Sequence, residues 1–509
     1  MAERREAAVR ARIGRPGEGP SWPWEQLPAG RWVGRFGLVA ALLVWAWILA
    51  RWPLPWAGAL LVGSAVAVSI LLRPALGLPL LALAVPFGSL GTVSIGPAAV
   101  GAEEALLGAV AGAWLVRQMS RGALNLRWPS LAGAGLVLLA VMLASFLPAT
   151  SLALSVKELV KWGELWLAMV LVLNLVDVFD ALLLTLGLLL AGAAEGLLGL
   201  YQFFTRSGPE AFLLMGRFMR AAGTFEQPNP YGGYLGLTVP LAVGILLAIW
   251  PGTAQGTNRG QLWGIWLFAA VTGGLMLGGL VASWSRGAWL GAAAAVGVVV
   301  VARGGAWLRG ILLVGLLALM LSLLVWGRLP IPGALQQRFL DYAADLTLDV
   351  RTVEVTDANF AVLERAAHWQ AALEMFKDQP WTGVGIGNYA AVYERYALPR
   401  WPDPLGHAHN YYLNIAAEAG LPGLGAYLLW VAAGLWVALR AVRVSRGFEQ
   451  GLALGVLGMW VHLSVHNFFD NLYVHGMAIQ VGLLLGLAAW VIVGNQGQDS
   501  QVGGGPPSP

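Results

Sequence analysis

VGRFGLVAALLVWAWILA (residues 33–50) and GILLVGLLALMLSLLVW (residues 310–326) decide the fold class. Each run is close to the roughly 20 residues that a helix needs to cross a bilayer. A membrane barrel would instead show short strands of alternating polarity. Only 11% of the 509 residues are charged and 58% are hydrophobic, whereas soluble domains carry about 25% charged residues. The sequence therefore predicts an all-α polytopic membrane protein.

Further apolar runs of this kind follow along the chain, and several are short or flanked by proline. They predict about 12–14 transmembrane helices. The candidate spans are 36–52, 54–72, 75–95, 98–116, 130–148, 159–176, 181–203, 230–250, 262–281, 286–302, 307–327, 411–438, 449–470 and 473–494. The chain has no cysteine, which excludes disulfides and thiolate chemistry.

Arginine placement predicts the topology. Short cytoplasmic loops are enriched in Lys and Arg, and the arginines of this chain concentrate on one side if both termini are cytoplasmic. The expected organisation has five parts: a disordered basic tail (1–35), an N-terminal transmembrane bundle (36–327), one large extracytoplasmic loop (328–410), C-terminal transmembrane helices (411–494) and a disordered tail (495–509).

The large loop resembles a soluble fold in composition. Its segment from Asn359 to Lys377, NFAVLERAAHWQAALEMFK, places apolar residues at helical spacing, namely Phe360, Leu363, Ala367, Ala371 and Met375. This spacing predicts an amphipathic helix that lies against the membrane domain.

Three polar clusters fall at extracytoplasmic ends of predicted spans: RAAGTFEQPNPYGGY (220–234), SWSRGAWLG (283–291) and HAHNYYLNIAAEAGLPG (407–423). An arginine at a membrane interface is ordinarily a topology anchor. Arg220 and Arg286, however, lie on the side where positive residues are disfavoured. Two guanidinium groups beside a histidine would suit a diphosphate, because guanidinium binds phosphate oxygens bidentately and stays charged.

These clusters, together with PWTGVGIGNY (380–389), resemble the O-antigen ligase family, which is grouped with O-antigen polymerases. The nearest correspondence is His409-Asn410 followed by Gly420 and Gly423, the family's HN…GxxG spacing. The resemblance covers roughly residues 130–490. It implies a GT-C-like fold in the inner membrane. It also implies metal-independent, inverting transfer of a glycan from undecaprenyl diphosphate to an acceptor on the outer face.

The resemblance assigns roles to individual residues. The family's histidine corresponds to His409 and its two outer arginines to Arg220 and Arg286; Arg217 lies one helical turn from Arg220 and is an alternative to it. The chemistry agrees, because a departing diphosphate needs cations and the attacking hydroxyl needs a base that titrates near neutral pH. Asn410 either orients substrate or fixes the loop, and the structural role is favoured.

Other ionisable residues leave alternatives open. His407 and His409 could form a metal pair with Asp403, but metal sites usually need three or four protein ligands, and we expect neither metal nor cofactor. His466 could line the acceptor path, since His462, His466 and His475 fall near Asp470; Glu103, Glu104 and Glu195 are functional or paired structurally. His368 is solvated or packed. The Gly383–Gly387 run is a tight turn, since no strand–helix context for nucleotide binding surrounds it.

The expected partners are an undecaprenyl-diphosphate-linked glycan, a glycolipid or saccharide acceptor and membrane lipids, with no nucleic acid. A polymerase that lengthens the glycan on its carrier fits the same clusters. A lipid-linked oligosaccharide transporter is less favoured, because transporters often show internal repeats and charges near the bilayer midplane. The chain shows no internal repeat, and its polar clusters lie at span ends.

Overall fold

The computed structural model describes residues 43–48, 50–95, 98–122, 125–214, 216–250, 259–305, 310, 350–355 and 359–502. The helices in this part of the chain are α1 (Leu54–Leu72), α2 (Gly77–Ala84), α3 (Ala102–Ser120), α4 (Ala132–Ala144), α5 (Leu152–Leu175), α6 (Val178–Thr205), α7 (Pro228–Ala248), α8 (Arg259–Ala282), α9 (Arg286–Arg303), α10 (Phe360–Asp378), α11 (Tyr389–Val392), α12 (Tyr411–Val444), α13 (Gly447–His466) and α14 (Met477–Val502).

Strands are few and short in the described ranges. Two antiparallel pairs form, β1 (Val93–Ile95) with β2 (Ala98–Val100), and β3 (Leu213–Leu214) with β4 (Phe218–Met219). Short 3₁₀ turns occur at Pro74–Leu76, Val85–Leu90, Glu210–Phe212, Val350–Thr352 and Tyr393–Arg395. The predicted all-α class is confirmed.

Seven of the described helices are long and apolar enough to cross a membrane: α1, α6, α7, α8, α9, α12 and α14. Most other predicted spans coincide with helices that are shorter or more polar, such as α4, α5 and α13. Residues 36–42 and 49 of the 36–52 run and nearly all of 307–327 lie outside the described residues, as do the tail 1–35 and residues 328–349 and 503–509. The seven long apolar helices make the chain a multi-pass membrane protein.

The predicted span 75–95 is wrong as a continuous helix. It divides into a 3₁₀ turn, the two-turn helix α2, a second 3₁₀ turn and strand β1. Pro79 and Pro86 lack the backbone N–H that a helix interior needs, and Gly88 and Gly91 lower helix propensity. At the other end of the chain, α14 continues to Val502, past the predicted boundary at 494.

The described residues form two compact units, one of those up to residue 77 together with 109–126, and one of those in 78–108 and 127–502. The first contains α1, whose apolar side chains such as Leu54 and Leu72 are largely exposed. The second contains helices α4 to α14 and every candidate site residue.

Small residues let the helices of the second unit approach closely, as is common in membrane proteins. A Cβ on Gly244 of α7 would collide with the Gly451 carbonyl oxygen of α13. Gly236 of α7 and Gly291 of α9 both face the His462 ring, leaving no room for a side chain. This packing holds α7, α9 and α13 together, and their ends on one side carry the polar residues discussed next.

Candidate active site

One cavity of the second unit brings three arginines together. Arg220, Arg286 and Arg365 line it. The remaining lining residues are Asn229, Trp284, Ser285, Gly287, Leu290, Ala361, His466, Phe469 and Asp470. Arg220 and Arg286 come from two of the predicted clusters, whereas Arg365 comes from the loop helix α10 and was missed. The cavity therefore concentrates positive charge beside one carboxylate and one histidine.

Residues of the first two polar clusters, 220–234 and 283–291, hold Arg220 in place. Its Nε donates to the Ser283 carbonyl oxygen at 3.1 Å and its Nη2 to Asn229 Oδ1 at 2.9 Å. The neighbouring Ala221 N–H donates to the Ala282 carbonyl oxygen at 2.9 Å. These bonds tie the segment before α7 to the end of α8. They fix the guanidinium at the cavity wall.

Arg286 is the first residue of α9 and is 9% exposed. Trp284, two residues earlier, has φ 52, so the chain turns sharply between α8 and α9. Arg217 behaves differently from the other two arginines. It is exposed, its guanidinium lies 5.3 Å from the centre of the Phe218 ring, and it does not belong to the cavity lining.

Arg365 carries a buried polar atom that lacks a partner among the described residues. Its Nε is buried and has no hydrogen-bond partner among the residues described. Buried polar atoms normally have a partner, and an exception calls for an explanation such as a missing ligand. In the sequence, Arg365 looked like the polar face of an amphipathic helix. The one available signal was its i,i+3 spacing to His368, which places both on one face.

His409 lies beside a buried carboxylate. Its Nδ1 is 3.4 Å from Asp470 Oδ1, and Asp470 also lines the arginine cavity. The backbone of His409 is left-handed, with φ 51. Its N–H donates to His407 Nδ1 at 3.0 Å, and its carbonyl oxygen accepts from Trp369 Nε1 at 3.4 Å. The loop thus presents the imidazole in a fixed orientation.

Asp470 is the acidic partner in this group. Burial alone would raise its pKa, but the hydrogen bond and charge of His409, with the charge of Arg365, hold the pKa well below its usual range. Asp470 therefore remains a carboxylate, able to orient an imidazole and to stabilise an imidazolium. The sequence placed Asp470 near His466 but gave it no role. Asp403 instead accepts a hydrogen bond from its own loop, from Leu405 N–H at 3.1 Å.

His407 completes the cluster, and its hydrogen bonds fix its tautomer. Because Nδ1 accepts from the His409 N–H, the neutral ring carries its proton on Nε2, which lies 3.6 Å from Asp470 Oδ1. Burial, reinforced by the charge of His409, lowers the pKa of His407 to about 3. His407 is accordingly a neutral ring that faces Asp470 and supports the His409 backbone.

One ligand-type atom from each of His407, His409 and Asp470 lies within 4.8 Å of the others, a spacing that could hold a metal ion. The tautomer of His407 argues against a metal ion at this place. A metal on Nε2 would require the proton on Nδ1, which would break the hydrogen bond from the His409 N–H. The arrangement fits proton handling better than metal binding.

The segment after His409 is structural. Asn410 is the N-cap of α12, because its side chain accepts from the Leu413 N–H at 3.1 Å; this is how an N-cap residue satisfies a free helix N–H. Gly420 has φ 65 and interrupts α12, and a Cβ there would lie 2.7 Å from the Pro380 carbonyl oxygen. The asparagine and glycines therefore shape the helix.

The Gly383–Gly387 run forms a turn that packs on α5 and on the segment between α4 and α5. A Cβ on Gly385 would lie 2.6 Å from Ala149, and one on Gly387 2.7 Å from the Leu154 carbonyl oxygen. Asn388, fully buried, anchors the turn by accepting from Ser151 N–H at 2.7 Å and donating to Ser155 Oγ at 2.9 Å. The predicted turn is present.

The remaining histidines separate into different environments. His466 lines the cavity, and its Nδ1 lies 3.4 Å from Nε2 of His462. His475 does not line the cavity and packs edge-on against Phe225 at 6.0 Å. His368 is packed rather than solvated: it is 1% exposed, its Nδ1 lies 2.9 Å from the Tyr389 hydroxyl, and its ring stacks on Tyr393.

The predicted acidic residues have structural partners or positions. Glu195 accepts from Thr224 Oγ1 at 2.8 Å and from the Thr224 N–H at 3.1 Å. Glu103 and Glu104 lie in the first turn of α3 rather than inside an apolar run. Glu104 accepts from the Gly101 N–H at 2.7 Å. None of the three lines the arginine cavity.

Residues 271–428 match the family model described as O-antigen ligase. The matched segment contains Arg286, Arg365 and His409, and it ends before Asp470. A comparison with curated proteins gave no match. The family match confirms, over these residues, the resemblance found in the sequence.

Proposed function

With residues 271–428 in the O-antigen ligase family, we propose that this protein transfers an oligo- or polysaccharide from undecaprenyl diphosphate to a glycolipid or saccharide acceptor. The reaction inverts the anomeric centre and needs no metal or other cofactor. It takes place at the extracytoplasmic face of the inner membrane, and both termini are cytoplasmic.

The observation that carries the proposal is the continuity between the arginine cavity and His409. Asp470 belongs to both, since it lines the cavity and lies 3.4 Å from His409 Nδ1. A donor diphosphate in contact with Arg220, Arg286 and Arg365 would place its reacting sugar near the histidine loop. Both requirements of the reaction, cations for the leaving group and a base for the nucleophile, are then met within one site.

The proton and charge movements follow from this placement. A hydroxyl oxygen of the acceptor attacks the anomeric carbon while the bond from that carbon to the diphosphate oxygen breaks. The bonding electrons pass to the diphosphate, where the guanidinium groups stabilise the growing negative charge. His409 Nε2 takes the hydroxyl proton, and the Asp470 carboxylate beside Nδ1 stabilises the resulting imidazolium.

Each supporting residue has a part in this scheme. Asn229 holds Arg220 in place through the 2.9 Å hydrogen bond to Nη2. His407 fixes the backbone of His409, and Asn410 fixes the start of α12. His466 lies in the cavity wall, where it can contact the diphosphate or the first sugar. Arg217 has no contact with this cavity and is not needed by the mechanism.

The test is transfer of a radiolabelled glycan from undecaprenyl diphosphate by the purified full-length chain in lipid nanodiscs with EDTA present. Candidate acceptors are supplied in one arm and omitted in another. We expect acceptor-dependent transfer with release of undecaprenyl diphosphate. Lengthening of the lipid-linked glycan without added acceptor would instead assign a polymerase. Movement of the lipid-linked glycan across liposomes without any transfer would assign a transporter and overturn the proposal.

A further inference from the structure

A buried carboxylate lies at the start of α3, away from the arginine cavity. Glu103, in the first turn of that helix, is only 5% exposed. Its Oε2 atom is buried and has no hydrogen-bond partner among the described residues. The carboxylate lies directly against the backbone of Gly88, where any Cβ would collide with it. A buried polar atom without a partner calls for an explanation, such as a missing ligand.

A second carboxylate reaches the same place. A Cβ built on Gly101 would lie 2.6 Å from Glu103 Oε2 and 2.8 Å from Glu104 Oε2. Glu104 is half-buried, and its Oε2 also accepts from the Gly101 N–H at 2.7 Å. Calcium lies about 2.3–2.6 Å from each of its oxygen ligands. One ion can therefore contact both carboxylates.

We propose that Glu103 and Glu104 bind a hard divalent cation, with Ca²⁺ as the preferred ion. The site is structural. Neither residue lines the arginine cavity, and the ion takes no part in the proposed glycan transfer, which remains independent of metal.

The charges around this pair favour a cation. Glu104 acts on Glu103 through charge repulsion, and both act in the same way on Glu164 of α5. Carboxylates that lose their water without gaining a counter-charge are costly. The positive end of the α3 macrodipole supplies only about half an elementary charge, which offsets a small part of this repulsion. A divalent ion supplies the rest.

The ligand atoms indicate which ion fits. Carboxylate oxygens suit Mg²⁺, Ca²⁺ and Mn²⁺, whereas Zn²⁺ prefers sites that include nitrogen or sulfur. Mg²⁺ requires a nearly ideal octahedron and gives up its water reluctantly, while Ca²⁺ accepts irregular sets of oxygens. Glu103 is buried and Glu104 is half-buried, so the two ligands are unequal in their access to water. An irregular site of this kind favours Ca²⁺.

The position of the pair shows what a bound ion would stabilise. A Cβ on Gly476, in the connection from α13 to α14, would lie 3.3 Å from Glu103 Oε1. The 3₁₀ turn that contains Gly88 is joined to the first polar cluster, because the Pro86 carbonyl oxygen accepts from Thr224 Oγ1 at 2.5 Å. An ion at Glu103 would thus hold the start of α3 beside two segments that lead to the candidate active site.

Three glutamate-to-glutamine variants separate this site from general surface charge. Glu103→Gln removes the buried charge and keeps the size of the side chain. Glu104→Gln retains an oxygen that can accept from the Gly101 N–H, so it tests the site with the start of α3 intact. Glu210→Gln is the matched control, because Glu210 is an exposed glutamate in the first turn of a 3₁₀ helix.

The binding experiment is equilibrium dialysis of the purified full-length chain, washed with EDTA and held in phosphatidylcholine nanodiscs, against radioactive Ca²⁺. We expect one saturable site with a Kd of about 10⁻⁴–10⁻³ M, the range of extracellular calcium modules. Glu103→Gln and Glu104→Gln should each weaken binding about tenfold or more, and Glu210→Gln should bind as wild type does. Wild-type binding no tighter than that of Glu103→Gln, or an equal loss in Glu210→Gln, would overturn the assignment.

Thermal unfolding distinguishes a bound cation from a proton shared by the two carboxylates. An ion that binds the folded state raises its stability, so Ca²⁺ should raise the Tm of wild type by about 2–4 °C. The Tm of Glu103→Gln should not respond to Ca²⁺. A wild-type Tm that ignores Ca²⁺ but depends on pH in a way that Glu103→Gln abolishes would assign a shared proton and refute the cation site.

The transfer assay keeps this inference separate from the proposed function. At a temperature well below the Tm, the rate of glycan transfer should be the same in EDTA and in Ca²⁺. Transfer that requires Ca²⁺ in both wild type and Glu103→Gln would contradict the metal-independent reaction and leave the structural site to be judged by binding. Transfer that requires Ca²⁺ in wild type and is lost in Glu103→Gln would refute the structural role given to the ion.

Discussion

The Gly383–Asn388 turn and the arginine cavity are both polar regions at the periphery of the helix bundle, but they differ in how their polar atoms are satisfied. In the turn, the side-chain oxygen and nitrogen of Asn388 both have protein partners, Ser151 and Ser155. At the cavity, Arg365 Nε is buried without a hydrogen bond to any described residue. A buried polar atom without a partner calls for an explanation, such as a missing ligand. The comparison supports the proposal that the cavity is the functional region.

Replacing His409 should produce the largest loss of glycan transfer. Because His409 has φ 51 and His475 has φ 48, asparagine, which tolerates the left-handed region, keeps both backbones unstrained. His409→Asn should lower kcat for glycan transfer by about 10²–10⁴-fold through loss of the base. His475→Asn is the matched control and should remain within twofold of wild type. Comparable rates for the two variants would remove His409 from the mechanism.

Arg365 provides the next test, because it is the cavity arginine that the sequence did not indicate. Arg365→Gln should lower kcat/KM for transfer by about 10²-fold, the loss typical of one group that stabilises transition-state charge. The exposed Arg395, on the 3₁₀ turn after α11, offers the control Arg395→Gln. Initial rates at varied donor concentration measure both. An equal decrease in the two variants would mean that general surface charge, rather than the cavity, matters.

The turn should respond to mutation in the opposite way. Asn388→Ala leaves the Ser151 N–H without its side-chain acceptor and removes the donor that faces Ser155 Oγ; a buried polar group left without a partner costs about 1–3 kcal/mol. We expect a lower melting temperature but an unchanged transfer rate per folded molecule. Thermal unfolding monitored by intrinsic fluorescence, alongside active-site-normalised rates, tests this. A variant with full stability and reduced turnover would show that the turn takes part in function.

His368 should make the free energy of unfolding depend on pH. Burial, together with the charge of His409, lowers the pKa of His368 from 6.5 to about 4. Between those values the unfolded chain binds a proton that the folded protein does not, so the free energy of unfolding falls as pH falls. The loss should reach about 2 kcal/mol at pH 5. His368→Phe should unfold with a smaller difference between pH 7.5 and pH 5 than wild type. An identical pH dependence would show that His368 is not the group responsible.

The sequence predicted the parts of the site that are local in the chain. Arg220, Arg286 and His409 stand out because polar residues interrupt apolar runs at span ends. The two arginines do meet in one cavity. Helix positions were also predictable, since α1 spans the same residues as the predicted run 54–72. The broken span 75–95 was not, because its hydropathy is high and its prolines and glycines act through backbone geometry.

The parts that depend on long-range packing could not be predicted. Asp470 joins His409 only because the Tyr411 N–H donates to the Asn467 carbonyl oxygen at 2.8 Å, which brings the end of α13 to the start of α12. Arg365 reaches the cavity because α10 packs on α12. Neither contact has a signature in residue spacing. Arg217 illustrates the converse: proximity to Arg220 in sequence gave it a candidate role that its exposed position does not support.

Affinity for undecaprenyl diphosphate, measured by titration of the purified chain in EDTA-washed nanodiscs, tests the central claim most directly. The claim is that the arginine cavity binds the donor diphosphate without a metal. We predict saturable binding by wild type that weakens about tenfold or more in Arg286→Ala, since each tenfold step corresponds to about 1.4 kcal/mol of lost contact. Equal affinity of wild type and Arg286→Ala, or binding that appears only when a divalent cation is restored, would contradict the account.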